Sequence, residues 1–93
     1  MNNSIAPEHT LCIKNANAAF DEKNISALKE CAEQLLLAYR NTAQVVLHAF
    51  SLRFSGDAAY YERKPEAENF YKESLAIFEN EKEITETDRK SVV

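Results

Sequence analysis

From Leu28 onward, apolar side chains recur at Ala32, Leu35, Tyr39, Ala43, Val46, Phe50 and Phe54, in steps of three and four that never lose phase. That spacing draws one stripe down a helix. The unbroken phase predicts a single long helix over 25 to 54, about 45 Å at 1.5 Å per residue. Asn41 followed three residues on by Gln44 resembles a capping box and offers the alternative, a break near Asn41. Ahead of this stretch, Pro7 suits a first helical turn, and His9, Cys12, Ala16 and Phe20 mark a short amphipathic helix. The charged run Asp21 to Asn24 then turns the chain, with Asn24 placed to cap the next helix.

Beyond the long helix, Ser55-Gly56-Asp57 reads as its stop, with the glycine at the left-handed position after the last turn. Ala58 to Glu62 allows a further turn or two before Lys64-Pro65 ends it. The final helix begins near Pro65, carries Ala67, Phe70, Tyr71, Ser74, Leu75 and Phe78 on its apolar stripe, and fades near Lys82. Residues 1 to 6 and 84 to 93 are expected to fray or be disordered. The fold class is therefore all-α: one domain over 1 to 93, a small bundle of three to four helices around one long central helix.

In the second half of the long helix, Val45, Val46, Leu47, Ala49, Phe50 and Phe54 leave only the narrow polar stripe Arg40, Gln44, His48 and Ser51. A helix apolar on most sides must be covered on several faces, and a 93-residue chain has few elements to do it. A second copy is the expected cover, so these six apolar residues are assigned to a homodimer interface.

One glycine and two prolines among 93 residues leave too little turn punctuation for a hairpin-rich sandwich. The net charge of -4 argues against a nucleic-acid or anionic-lipid partner, whose binding rests on Lys and Arg. The negative charge is concentrated between Asp57 and Asp88, where ten acids face four bases, while residues 1 to 56 balance. No apolar run approaches the roughly 20 residues that span a bilayer. The start of the chain lacks a basic and apolar leader, so the expected location is the cytoplasm.

The residues give no sign of an enzyme. A single glycine excludes a phosphate-cradling loop and a G-x-S-x-G elbow, and there is no H-E-x-x-H. No cofactor is expected. The other chemistry in view is His9, Cys12 and Cys31, in which two ligand types stand three apart on one helix face and a third lies across the turn. Cys12 and Cys31 lie at similar distances from that turn, so antiparallel packing brings them to one height, as core thiols, a redox pair or weak metal ligands.

Tyr60 and Tyr61 cannot both face inward on a helix, which leaves at least one for a partner, beside the carboxylates of Glu62, Glu66 and Glu73. The expectation is a non-enzymatic protein-interaction module: a small acidic regulatory, adaptor or inhibitor protein, such as a chaperone, an immunity protein or a phage-type antagonist. The alternative is a metal- or redox-linked helical protein using His9, Cys12 and Cys31. Residues 10 to 39 and Ala67 to Phe78 resemble the helices of tetratricopeptide repeats. Asn15 and Glu22 stand where that repeat prefers glycine, and its period of about 34 residues does not return.

Overall fold

The computed structural model describes the backbone of residues 6 to 92 and the side chains of residues 6 to 80. All the described elements are helices: α1 (Pro7–Asp21), α2 (Ile25–Thr42), α3 (Val45–Tyr61) and α4 (Glu66–Val92). Residues 1 to 5 lie outside the described residues, and Ala6 is already engaged, its carbonyl accepting from the His9 and Thr10 amides. The backbone of α4 stays helical to Val92, past the point where its pattern fades. The side chains on which the expectation for 84 to 93 rests lie outside the described residues.

The single long helix is corrected to two. Its stripe crosses a turn at Ala43, which takes a left-handed conformation (φ 60°) and donates its amide to the Tyr39 carbonyl at 2.7 Å. Thr42 Oγ1 donates back to the Ala38 carbonyl at 2.7 Å and accepts the Gln44 amide at 3.3 Å, so one hydroxyl serves both sides of the break. Hydrophobic phase survives because a three- or four-residue step can also span a tight turn between antiparallel helices. The break falls close to Asn41, but Gln44 takes the capping position rather than the back-bonding one.

Ser55-Gly56-Asp57 is likewise not a stop. Gly56 lies inside α3 and its backbone is not left-handed. A Cβ there would stand 3.0 Å from the Tyr71 ring and 3.1 Å from Phe70 Cβ, so the glycine is what lets α4 approach α3. The other boundaries agree with the sequence signals: Pro7 opens α1, Asn24 Oδ1 accepts the Ala27 amide at 3.2 Å, and Pro65 precedes α4. Asn24→Ala is expected to cost about 1 kcal/mol of stability, read as a lower urea midpoint at an unchanged slope.

Each helix packs on the next in chain order: α1 on α2, α2 on α3, α3 on α4, with α1 reaching α3 only weakly. Leu28, Leu35, Leu47 and Phe54 are the largest side chains buried outright, and small residues (Ala16, Ala19, Ala32, Ala58) let the helices close around them. One hydroxyl ties each of the two neighbours to α3: Ser51 Oγ donates to the Ala32 carbonyl at 2.8 Å, and Ser74 Oγ to the Ala49 carbonyl at 2.7 Å. The outer polar stripe is corrected at Ser51. The turn at Ala43 re-aims α3, so Ser51 is buried, and His48 stacks on the Tyr39 ring with centroids 4.7 Å apart.

The two hairpins close alike. Ala18-Ala19-Phe20-Asp21-Glu22-Lys23 ends α1 and Ala58-Ala59-Tyr60-Tyr61-Glu62-Arg63 ends α3. Glu22 donates to Ala18 at 3.0 Å and Asn24 to Ala19 at 2.8 Å. Glu62 donates to Ala58 at 3.0 Å and Lys64 to Ala59 at 2.9 Å. Lys23 and Arg63 both sit at φ 57°. This is the Schellman closure of a helix, repeated with a lysine or arginine where glycine is usual.

Candidate functional site

Because α3 is flanked by α2 on one side and α4 on the other, the chain itself covers much of the apolar segment assigned to a dimer. Leu47, Ala49 and Phe54 are fully buried, Val46 and Phe50 are half-buried, and only Val45 is exposed. Phe50 is enclosed edge-on by Phe78 of α4, ring centroids 5.1 Å apart. Within one chain, α2 and α4 supply most of the cover of this segment, and Val45 is left outside it.

The five residues expected to meet a partner separate into three environments. Tyr61 turns inward, its hydroxyl donating to the Phe20 carbonyl at 2.6 Å and its ring lying 5.3 Å from that of Phe20, so it fastens α3 to α1. Burial, and then the carboxylates of Asp57 and Asp21, push its hydroxyl above the ordinary tyrosine value. Glu62 is held by Lys29 at 2.8 Å and Lys64 at 3.2 Å. Hydrogen bonds from Lys29 and then Lys64 hold its carboxyl below the usual glutamate range. That contribution to stability is present above the ordinary glutamate value and is lost as pH falls through the lowered one. Glu62 is thus an internal tie between α2 and the end of α3 more than a free charge.

Tyr60 is the outward member of the pair, 59% exposed. It lines a depression of about 420 Å³ at the corner between α3 and α4, with Pro65, Tyr71 and Leu75. Leu75 is 57% exposed, a correction to its place on the core stripe, because α4 turns Ala67 and Ser74 toward α3 instead. Lys64, Glu68 and Lys72 rim the depression, and Lys72 pairs with Glu68 at 3.2 Å.

On the opposite flank of α4, Glu66 and Glu73 are exposed, and Glu66 lines a second groove of about 400 Å³. This groove lies over α3, between α2 and α4, which among the described residues make no close backbone approach to each other. Its apolar surface comes from Leu36, Ala58, Ala59 and Phe70, with Glu33 and Glu66 at its edges. The sequence does not mark Leu36, Phe70 or Leu75 as binding residues, since on a helical stripe an apolar residue at the edge of the core reads the same as one inside it.

Beneath Tyr60 lies the one ionisable side chain buried among the described residues, Asp57, 5% exposed. The Tyr71 hydroxyl donates to Asp57 Oδ1 at 2.5 Å. Burial pushes the Asp57 carboxyl up, against the opposing pull of the Tyr71 hydrogen bond and Arg53. Burial and then Asp57 push the Tyr71 hydroxyl up as well. Perturbed pairs can mark reactive sites. This one joins α3 to α4, with Asp57 buried and Tyr71 half-buried at the wall of the depression.

At the other end, Cys12 donates to the Cys31 carbonyl at 3.6 Å, so the antiparallel packing does bring the two cysteines together. His9 lies toward another depression, formed with Glu8, Cys12, Gln34 and Asn41. Among the described residues no three His, Cys, Asp or Glu side chains converge as metal ligands, so His9, Cys12 and Cys31 do not make a three-ligand set. Nor is any described helix long and apolar enough to cross a membrane. No family model matches the chain, and no curated protein or solved structure matches it.

Proposed function

We propose that this chain is a non-enzymatic interaction module, an acidic regulatory, adaptor or inhibitor protein that acts by binding a protein partner. The observation that carries the reading is the shared exposure of Tyr60 and Leu75 in one concave corner between α3 and α4. Large apolar side chains that stand more than half exposed side by side, with a charged rim, have the makeup of a contact patch. An aromatic seated at the centre of such a patch is the usual source of binding energy.

The acidic half of the chain sets the kind of partner. Glu66 and Glu73 lie on the opposite flank of the helix that carries Leu75, and the net charge is -4, so it is the field of the whole chain, not the rim of the corner, that draws in a basic protein and repels nucleic acid. Tyr61 and Glu62 support this surface from behind, by fixing the end of α3, and are not themselves the contact. Self-association through α3 is not part of the proposal, since α2 and α4 already occupy that helix.

The test is capture by the tagged chain from its source lysate, at low and high salt, with wild type compared against Tyr60→Ala. Tyr60 lies on the surface, so this substitution leaves stability within about 0.5 kcal/mol. One stoichiometric basic protein is expected on the wild type. Its affinity should fall at least tenfold with Tyr60→Ala and its association rate should drop with salt, at about 1.4 kcal/mol per tenfold. Equal capture by both proteins, or recovery of the bait alone, defeats the reading.

A further inference from the structure

The pairing of Cys12 with Cys31 has no part in that surface. The two residues come from facing positions on antiparallel helices, α1 and α2, whose contact is lined by the small side chains Ala16, Ala19 and Ala32. Small residues bring helix backbones close, and closeness is the requirement for a disulfide, whose Cα atoms sit about 4.4 to 6.8 Å apart. The Cys12 sulfur lies 3.6 Å from the Cys31 carbonyl oxygen. Both side chains are half-buried, and both line one shallow depression of about 240 Å³ with Leu11, Asn15 and Gln34, through which a small reagent reaches them.

We propose that Cys12 and Cys31 form a modification site: a reversible intramolecular disulfide, made by exchange with a small disulfide of the glutathione class, that staples α1 to α2. In the first step the Cys31 thiolate attacks one sulfur of the glutathione disulfide. A Cys31–glutathione mixed disulfide forms, and one glutathione leaves as a thiolate that takes up a proton. Cys12 then gives its proton to water and attacks the Cys31 sulfur, forming the protein disulfide and expelling the second glutathione. Two protein thiols are oxidised and one glutathione disulfide is reduced to two thiols. Burial, then the neighbouring Cys31, push the Cys12 thiol up to about 11, which makes it the slower thiol toward free glutathione disulfide; its place beside Cys31 is what favours it in the second, intramolecular step.

The staple acts where the fold is weakest. α1 and α4 each rest mainly on one neighbour, and α1 packs on α2 less extensively than α4 packs on α3, so α1 is the helix expected to open first. Its detachment would also break the hydrogen bond from Tyr61 to Phe20, which fastens the end of α3 beside Tyr60. Oxidation therefore sets how often that end is released.

The full reduced chain is titrated with mixtures of reduced and oxidised glutathione, quenched in acid, alkylated, and read by intact mass and thermal melting. Both thiols are expected to disappear together, with a mass loss of about 2 Da before alkylation and a melting temperature higher by roughly 10 to 20 °C. Cys12→Ala is expected to stop at one glutathione adduct, with no rise in melting temperature. The wild-type mass and melt stand as a readout on their own if that variant folds poorly. A stable glutathione adduct on the wild type, a disulfide between two chains, or two free thiols in fully oxidised glutathione overturns the proposal.

Discussion

Phe54→Ala is expected to lower stability by about 3 to 5 kcal/mol, the usual cost of emptying a fully buried phenylalanine site. A 93-residue domain holds roughly 5 to 14 kcal/mol in total, so the variant should lose a large part of its margin and unfold at a much lower urea midpoint. Phe54 is fully covered, stacks against Phe50 with centroids 6.1 Å apart, and has the Arg53 guanidinium 5.7 Å from its ring centre. The experiment separates two accounts of the same residue. An interface phenylalanine cut to alanine would give a folded monomer with its helical circular dichroism intact. A core phenylalanine gives a chain that loses its helical signal at a much lower urea concentration than wild type, at protein concentrations too low for any dimer.

The second large effect belongs to Tyr71→Phe, which removes one hydroxyl and leaves the Asp57 carboxylate buried without its partner. About 2 to 3 kcal/mol is expected at neutral pH, since a stranded charged group costs more than a lost neutral hydrogen bond. The pH dependence is the sharper part. The folded-state value of Asp57 is raised, so the native chain holds that proton more tightly than the unfolded chain does. Its contribution is full below the ordinary aspartate value and is lost as pH rises through the raised one. Removing the Tyr71 hydroxyl takes away an interaction that opposes the rise, which moves Asp57 further up. The penalty for Tyr71→Phe should therefore be small at about pH 4 and grow toward about pH 8. Asp57→Asn, with nothing to titrate, should gain on wild type over the same interval. A penalty that stays level in urea melts across that range would mean that Asp57 and Tyr71 do not meet.

Much of the fold is legible in the sequence because capping and proline signals act locally. Pro7, Asn24 and Pro65 mark helix starts through backbone geometry that needs no knowledge of neighbours. Phase alone misleads where the chain turns tightly. The left-handed Ala43 carries no glycine signal, and the stripe runs on through it as though the helix continued. Gly56 misleads in the other direction: the glycine answers to the Tyr71 ring on another helix, a reason invisible until α3 and α4 are packed. The likeness of Ala18 to Lys23 with Ala58 to Arg63 is present in the letters, but its spacing of 40 residues falls outside the 34-residue period of the repeat that the helices resemble.

The candidate surface is legible only in outline. Helical geometry requires that one of Tyr60 and Tyr61 face outward, but which one depends on Tyr61 finding the Phe20 carbonyl across the hairpin. Glu62 looks like any other surface acid until Lys29, 33 positions earlier, is placed against it.

Packing in chain order has a kinetic consequence. When every helix rests on its successor, the contacts that build the core join stretches only a turn apart along the chain, and loop closure costs little entropy. Such a chain assembles outward from any hairpin that forms first, on a time scale of microseconds to milliseconds. It also comes apart from its ends, as a zipper does, so proteolysis would begin at a terminal helix while α2 and α3 still hold.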